Sequence, residues 1–145
     1  LEQGVSPIIY LPFVDFHDTF GDPQWSMQGV VRRGKDRTFV AKKPVYYNYL
    51  TLVEKLDRYH RAVRIDIEGA SLYKFLIENR TVFVAWSDVE KKKINVASYA
   101  GVSRGTSTSL VMGLDRNHDP LRIPPFFDAI DDVEVDEVPL IIETE

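Results

Sequence analysis

The sequence predicts a mostly β protein with one main helix: an antiparallel β-sandwich over residues 62–145, preceded by a strand-loop-helix unit over residues 1–61. Three observations lead there. Val5 to Phe16 (VSPIIYLPFVDF) is almost continuously apolar, the pattern of a strand buried on both faces of a parallel sheet. Lys43-Pro44 is followed by Tyr46, Tyr49, Leu50, Val53 and Leu56 at helical spacing. From Ala62 onward, seven short runs rich in Val, Ile, Tyr and Phe alternate with polar turns, the signature of antiparallel sheet.

Taken in order, the first strand carries Pro7 and Pro12, which place its start at Pro7 and a bulge, edge or end at Pro12, since proline donates no ladder hydrogen bond. His17 to Ser26 is a loop rich in Asp, Gly, Pro and aromatics, the composition of many binding loops. A short apolar piece, Gln28 to Val31, and a basic connector lead to the helix, where Pro44 occupies a first-turn position that has no use for its missing N–H. The Tyr46 face, widened by Leu52 and Tyr59, is expected to pack on the preceding strand. His60 falls at the end of the helix, where the dipole favours a cation and a structural role.

The seven runs are Ala62 to Ile67, Ser71 to Glu78, Thr81 to Ser87, Lys93 to Ser98, Thr108 to Gly113, Asp132 to Asp136 and Pro139 to Glu143. The clearest hairpin spans Ser71 to Ser87, turning at Glu78-Asn79-Arg80 with Asn79 suited to a left-handed conformation. Within it, Val82, Val84 and Trp86 alternate with Phe83, Ala85 and Ser87, so one set faces a core and the other solvent or a neighbouring domain. Trp86 fills that core unless several aromatics are exposed beside it as a sugar platform. Lys91-Lys92-Lys93 reads as a solvated hairpin turn that discourages edge pairing.

The 145 residues are enough for one ordinary domain burying about 70% of its unfolded surface. With 44% hydrophobic and 28% charged residues, the composition is globular rather than disordered. A net charge of -4 with mostly scattered basic residues argues against a nucleic-acid partner. The absence of cysteine excludes disulfides, thiolate metal sites and cysteine nucleophiles, and leaves the compartment open. No apolar run has the length of a membrane span, so no membrane partner is expected. Leu1 in place of a methionine suggests a processed or truncated chain.

The order of parts resembles a known family. Gln28-Gly29-Val30-Val31 followed by Lys43-Pro44-Val45-Tyr46-Tyr47-Asn48-Tyr49 resembles the last βα unit of retaining (β/α)8 glycoside hydrolases, where a G-L-V segment precedes K-P-A-Y-Y and the final helix. Leu72-Tyr73-Lys74-Phe75 with Asn79-Arg80-Thr81-Val82-Phe83-Val84-Ala85-Trp86 is similar to a hairpin of their C-terminal sandwiches, and Val135 to Ile142 to the closing strand. The resemblance covers almost the whole chain. It implies the end of a TIM barrel plus an accessory sandwich, with carbohydrate and the remainder of the barrel, or a second copy of the chain, as partners. Many such enzymes end the barrel strand with a tryptophan, where this chain has Phe13-Val14-Asp15-Phe16-His17-Asp18.

Retaining glycosidases need two carboxyl groups about 5–5.5 Å apart. The resemblance places both, as glutamates, on barrel strands upstream of Leu1, so the chain is expected to hold no catalytic residue and no cofactor. Asp15, His17 and Asp18 would stand at the carboxyl end of a barrel strand, where such active sites gather. Two roles are open to them: sugar-hydroxyl ligands or partners of the missing glutamates, and plain capping of the loop. Trp25 can stack on a sugar ring or pack the loop onto the barrel mouth. Asp115, Asn117 and Asp119 repeat the opening of a calcium loop, but Pro120 replaces its glycine and no glutamate closes it; with His118, they read as an exposed polar turn and no metal is expected.

Overall fold

Residues 31–33, 39–88, 90–111, 113–117, 119–121 and 123–144 are described by the structure, a computed structural model. The strand expected over Val5 to Phe16, and the loop after it, lie outside the described residues. The chain is first seen as a short antiparallel hairpin, β1 (Val31–Arg33) and β2 (Phe39–Lys42), bulged between Arg32 and Arg33. The expected basic connector is therefore partly strand, as Phe39-Val40 suits a pleated backbone.

The helix α1 (Pro44–Leu56) begins where proline predicted, with the Tyr46 N–H donating to the Lys43 carbonyl at 2.9 Å. It stops earlier than the periodicity implied. Arg58, the one non-glycine residue of positive φ among those described, breaks the turn at +59°. His60 consequently lies beyond the helix: its N–H donates to the Leu76 carbonyl at 3.0 Å at the entry to the sheet, and the helix dipole has no hold on it.

Three strands then form a meander, β3 (Arg61–Ile67), β4 (Ala70–Ile77) and β5 (Arg80–Trp86), joined by two-residue turns. Gly69 takes φ +68° in the first turn. Asn79 does not have positive φ in the second, so the left-handed turn expected of it is not formed. Beyond lie β6 (Lys92–Ile94), α2 (Ala97–Ala100), β7 (Arg104–Ser109), β8 (Phe126–Ala129), β9 (Val133–Val135) and β10 (Leu140–Thr144). The main sheet is antiparallel, in the order β3-β4-β5-β10-β7-β8, and β6 pairs with β9 in a separate ribbon. The molecule is thus mostly β with one main helix.

Two expected runs shift. Lys93 to Ser98 is strand only as far as Ile94, because the Asn95 side chain accepts the Ser98 N–H at 2.9 Å and the chain closes a helical turn instead. The strand expected over Thr108 to Gly113 lies earlier, where Gly105 lets the backbones close up: a Cβ there would stand 2.7 Å from the Glu143 carbonyl oxygen. β8 was missed because all four of its residues are exposed and show no alternation. The lysine run is also no turn. Lys92 belongs to β6, while Lys91 and Lys93 reach across to Glu134 (2.7 Å) and Asp132 (2.6 Å) beside and within β9. Hydrogen bonds to those carboxylates raise both ammonium pKa values, but full exposure makes the pairs a matter of register rather than stability.

The sheet is covered on both faces. On one, Leu72, Phe83, Ala85 and Ile142 pack with Ile94, Val96, Ile130, Val133 and Val135 of the ribbon and its connections. On the other, Val82, Val84 and Ile141 pack with Leu52 and Leu56 of α1. The expected alternation in β5 is present: Phe83 and Ala85 enter the ribbon-side core, while Val82 and Val84, also buried, pack on the other face with α1, the helix of the expected strand-loop-helix unit. Helix and sheet share a core across the expected boundary at residues 61–62.

Replacing Phe83, fully buried, with alanine should cost about 3–5 kcal/mol in urea unfolding. The same change at Phe127, 61% exposed on the edge strand, should stay within about 0.5 kcal/mol of the wild type.

Candidate functional site

Asp15, His17, Asp18 and Trp25, the residues from which sugar contacts were expected, lie outside the described residues. What the structure does position is the helix that would follow them. Its sheet-facing side carries Asn48, Thr51, Leu52, Lys55 and Leu56, at i, i+3, i+4, i+7 and i+8. The apolar face read from the periodicity was expected to pack on the preceding strand, which lies outside the described residues; of that face, Leu52 and Leu56 meet the sheet. Tyr49 is 61% exposed and Val53 47%, with Val45 and Leu50 also exposed beside them.

The sheet holds the less apolar side because two of its polar groups find specific partners. The Asn48 side-chain amide donates to the Val111 carbonyl at 3.0 Å, and its Oδ1 accepts the Val111 N–H at 2.6 Å. It thereby stands in for a neighbouring strand at a buried residue whose main-chain groups would be costly to orphan. Near the other end, Glu143 of β10 receives Lys55 Nζ through one oxygen and Arg80 Nη1 through the other, the latter at 2.7 Å. Arg80 Nη2 also donates to the carbonyls of Glu54 (3.3 Å) and Lys55 (3.1 Å), in the last turn of α1, where carbonyls lack helical partners.

Four aromatics of the helix-side face pack in pairs. Tyr73 and Trp86 stack with rings 5.6 Å apart and 5° from parallel, and the Trp86 indole N–H donates to Asp88 at 3.0 Å. Tyr59 meets Phe75 edge-on at 5.3 Å. A sugar platform offers ring faces to solvent, whereas Trp86 turns one towards Tyr73 and packs beside the α1 core.

Asp115 Oδ1 accepts the N–H groups of Asn117 (2.8 Å) and Asp119 (2.9 Å), so the Asp-x-Asn-x-Asp segment is held as an exposed turn by its own first carboxylate. Among the described residues no group of three or more His, Asp or Glu side chains is gathered to hold a metal. No helix among them is long and apolar enough to cross a membrane.

One open groove on the helix side, about 740 Å3, runs from the β4–β5 turn across β10 and β7 to β8. It is lined by Asn79, Arg80, Arg104, Thr106, Phe127 and Glu143 among others. The Arg104 guanidinium lies 4.6 Å from the Phe127 ring centroid. Sequence reasoning found none of these residues. A signal existed for Glu143, a lone charge in the apolar strand Leu-Ile-Ile-Glu-Thr, and for the polar positions 48 and 55 seven residues apart on one helix stripe. No signal marked Arg104 and Phe127, which meet only through the pairing of β7 with β8.

No protein-family profile, curated protein or solved structure matches the chain.

Asn48→Ala should destabilise the chain by about 1–3 kcal/mol in urea unfolding, because both main-chain groups of Val111 lose their partner. Glu143→Ala should cost a similar amount, about 1–3 kcal/mol, by leaving two half-buried cations without their carboxylate.

Proposed function

We propose that this chain is the C-terminal part of a retaining glycoside hydrolase, with α1 as the last helix of a (β/α)8 barrel and the sheet as an accessory domain that buttresses it. One observation supports this reading above the others. α1 seats itself on the sheet by its polar-studded side and holds Val45, Tyr49, Leu50 and Val53 outward. A stripe of this kind on a helix is rare unless something covers it. In a barrel, each outer helix packs its apolar side on the strand ring, and a helix that also meets an accessory sheet must present two sides.

The order of the Gly-Val-Val, Lys-Pro-Val-Tyr-Tyr and hairpin segments agrees with that arrangement. On this reading the nucleophile and the acid/base belong to barrel strands preceding Leu1, and Asp15, His17, Asp18 and Trp25 line the sugar site from the last strand. The sandwich holds the final helix in place and does not itself cleave a bond. A separate carbohydrate-binding module would need a sugar platform, and the stacking of Tyr73 on Trp86 does not favour one there.

The coding sequence of the source protein should extend upstream by roughly 250 residues and carry a glutamate at the end of each of two strands; a reading frame without such a pair overturns the assignment. The chain alone should not hydrolyse aryl glycosides, and turnover abolished by Asp15→Asn or Asp18→Asn would contradict it. Tyr49→Lys with Val53→Lys should leave the unfolding midpoint almost unchanged, as expected of exposed sites. In the full-length enzyme the same pair should lower stability and activity together. Should the chain instead form a stable dimer in light scattering that the pair dissolves, the stripe's occupant is a second copy.

A further inference from the structure

We propose that the groove running from the β4–β5 turn to the β7–β8 edge binds a carboxylated saccharide, Arg104 taking the carboxylate and Phe127 the apolar face of a sugar ring. Strand register puts the relevant side chains together. Phe127 faces Thr106 across β8 and β7, Thr106 faces Glu143 across β7 and β10, and Glu143 is bonded to Lys55 of α1. All therefore stand on the helix side of the sheet, and the exposure of Phe127 shows that α1 does not cover this end of it.

The two arginines differ in what they have left to offer. Arg80 is committed to Glu143 and to the carbonyls of Glu54 and Lys55. Arg104 makes no ion pair among the described residues and has its guanidinium 4.6 Å from the centre of the Phe127 ring instead. A guanidinium held beside an aromatic ring in this way still has N–H donors to offer, in the fork geometry that matches a carboxylate. Among the lining residues Arg80 and Arg104 outnumber Glu143, although the whole chain carries a net charge of -4. The local field thus favours an anion that the rest of the surface repels.

Phe127 supplies an exposed ring for the C–H face of a pyranose, and Asn79, Thr106 and the remaining lone pairs of Glu143 suit hydroxyl groups. The volume of about 740 Å3 falls within the roughly 300–1,000 Å3 typical of small-ligand sites. The groove crosses the strands instead of following the free edge of β8. A ligand lying in it does not run along the unpaired main chain of that edge, which favours a saccharide over a peptide added as a strand. The choice of a sugar over another flat carboxylate rests on the glycosidase reading.

Electrophoresis of the whole chain through gels containing polygalacturonate, glucuronoxylan, neutral hydroxyethylcellulose or polyglutamate, at about 0.1 M salt where surface charges are screened beyond ~10 Å, tests this. At least one uronate polymer should retard the chain, and the neutral polymer and polyglutamate should not. Arg104→Ala and Phe127→Ala should each weaken retardation about tenfold or more with unchanged circular dichroism, and Arg104→Lys should retain part of it. Equal retardation of wild type and both alanine variants, equal retardation by polyglutamate, or no retardation by either uronate polymer would overturn the proposal. None of these outcomes bears on the barrel assignment, which stands or falls on the upstream glutamates.

Discussion

The architecture depends on the insertion of β10 between β5 and β7. Leu140–Thr144 pairs with β5 along its whole length and with β7 along all but its last residue. Ile142 completes the ribbon-side core, Ile141 the helix-side core, and Glu143 anchors both Lys55 and Arg80. Without this strand the sheet separates into the β3-β4-β5 meander and the β7-β8 pair. β7, and through it β8, joins the sheet only by pairing with β10, although β7 lies some thirty residues before it in the sequence. Such non-local pairing must overcome loop-closure entropy before its contacts contribute.

The seat of α1 illustrates how specific polar contacts can outweigh raw apolar area. An isolated helix with this sequence would turn its Val45, Tyr49 and Val53 stripe towards a sheet. The observed orientation gives up that burial and gains a bidentate amide bond to Val111 and a two-cation carboxylate at Glu143, each of which would carry a buried-polar penalty if left unmade. The surrendered stripe is then available for a second neighbour. That division of labour, polar side to the accessory sheet and apolar side outward, is the physical basis of the barrel-end proposal.

The period-2 strands with one or both faces buried, β3, β4, β5, β9 and β10, could be read from the sequence within a residue or two, and so could the proline-started helix. Burial imposes the alternation that reveals them. β8 could not, because an edge strand exposed on both faces is free of that constraint. β7 was displaced because its Arg-Gly-Thr-Ser-Thr-Ser sequence is polar and its strand character comes from pairing with β10 and β8 rather than from propensity. The side of α1 that meets the sheet had no signal in the periodicity, which weighs apolar residues alone and takes no account of a distant Val111 or Glu143. The groove was illegible for a similar reason: Arg104 and Phe127 are twenty-three positions apart and become neighbours only through register.

The fastening of α1 at two points has a mechanical side. Asn48 grips the segment after β7 near one end of the helix, and Lys55 with Arg80 grips the central strand near the other, about 10 Å further along at 1.5 Å per residue. A rod pinned twice cannot roll or pivot without breaking a pin. Whatever rests against its outward stripe is therefore coupled rigidly to the middle of the sheet, and a push delivered there would be felt as shear along β10 rather than absorbed by a swinging helix.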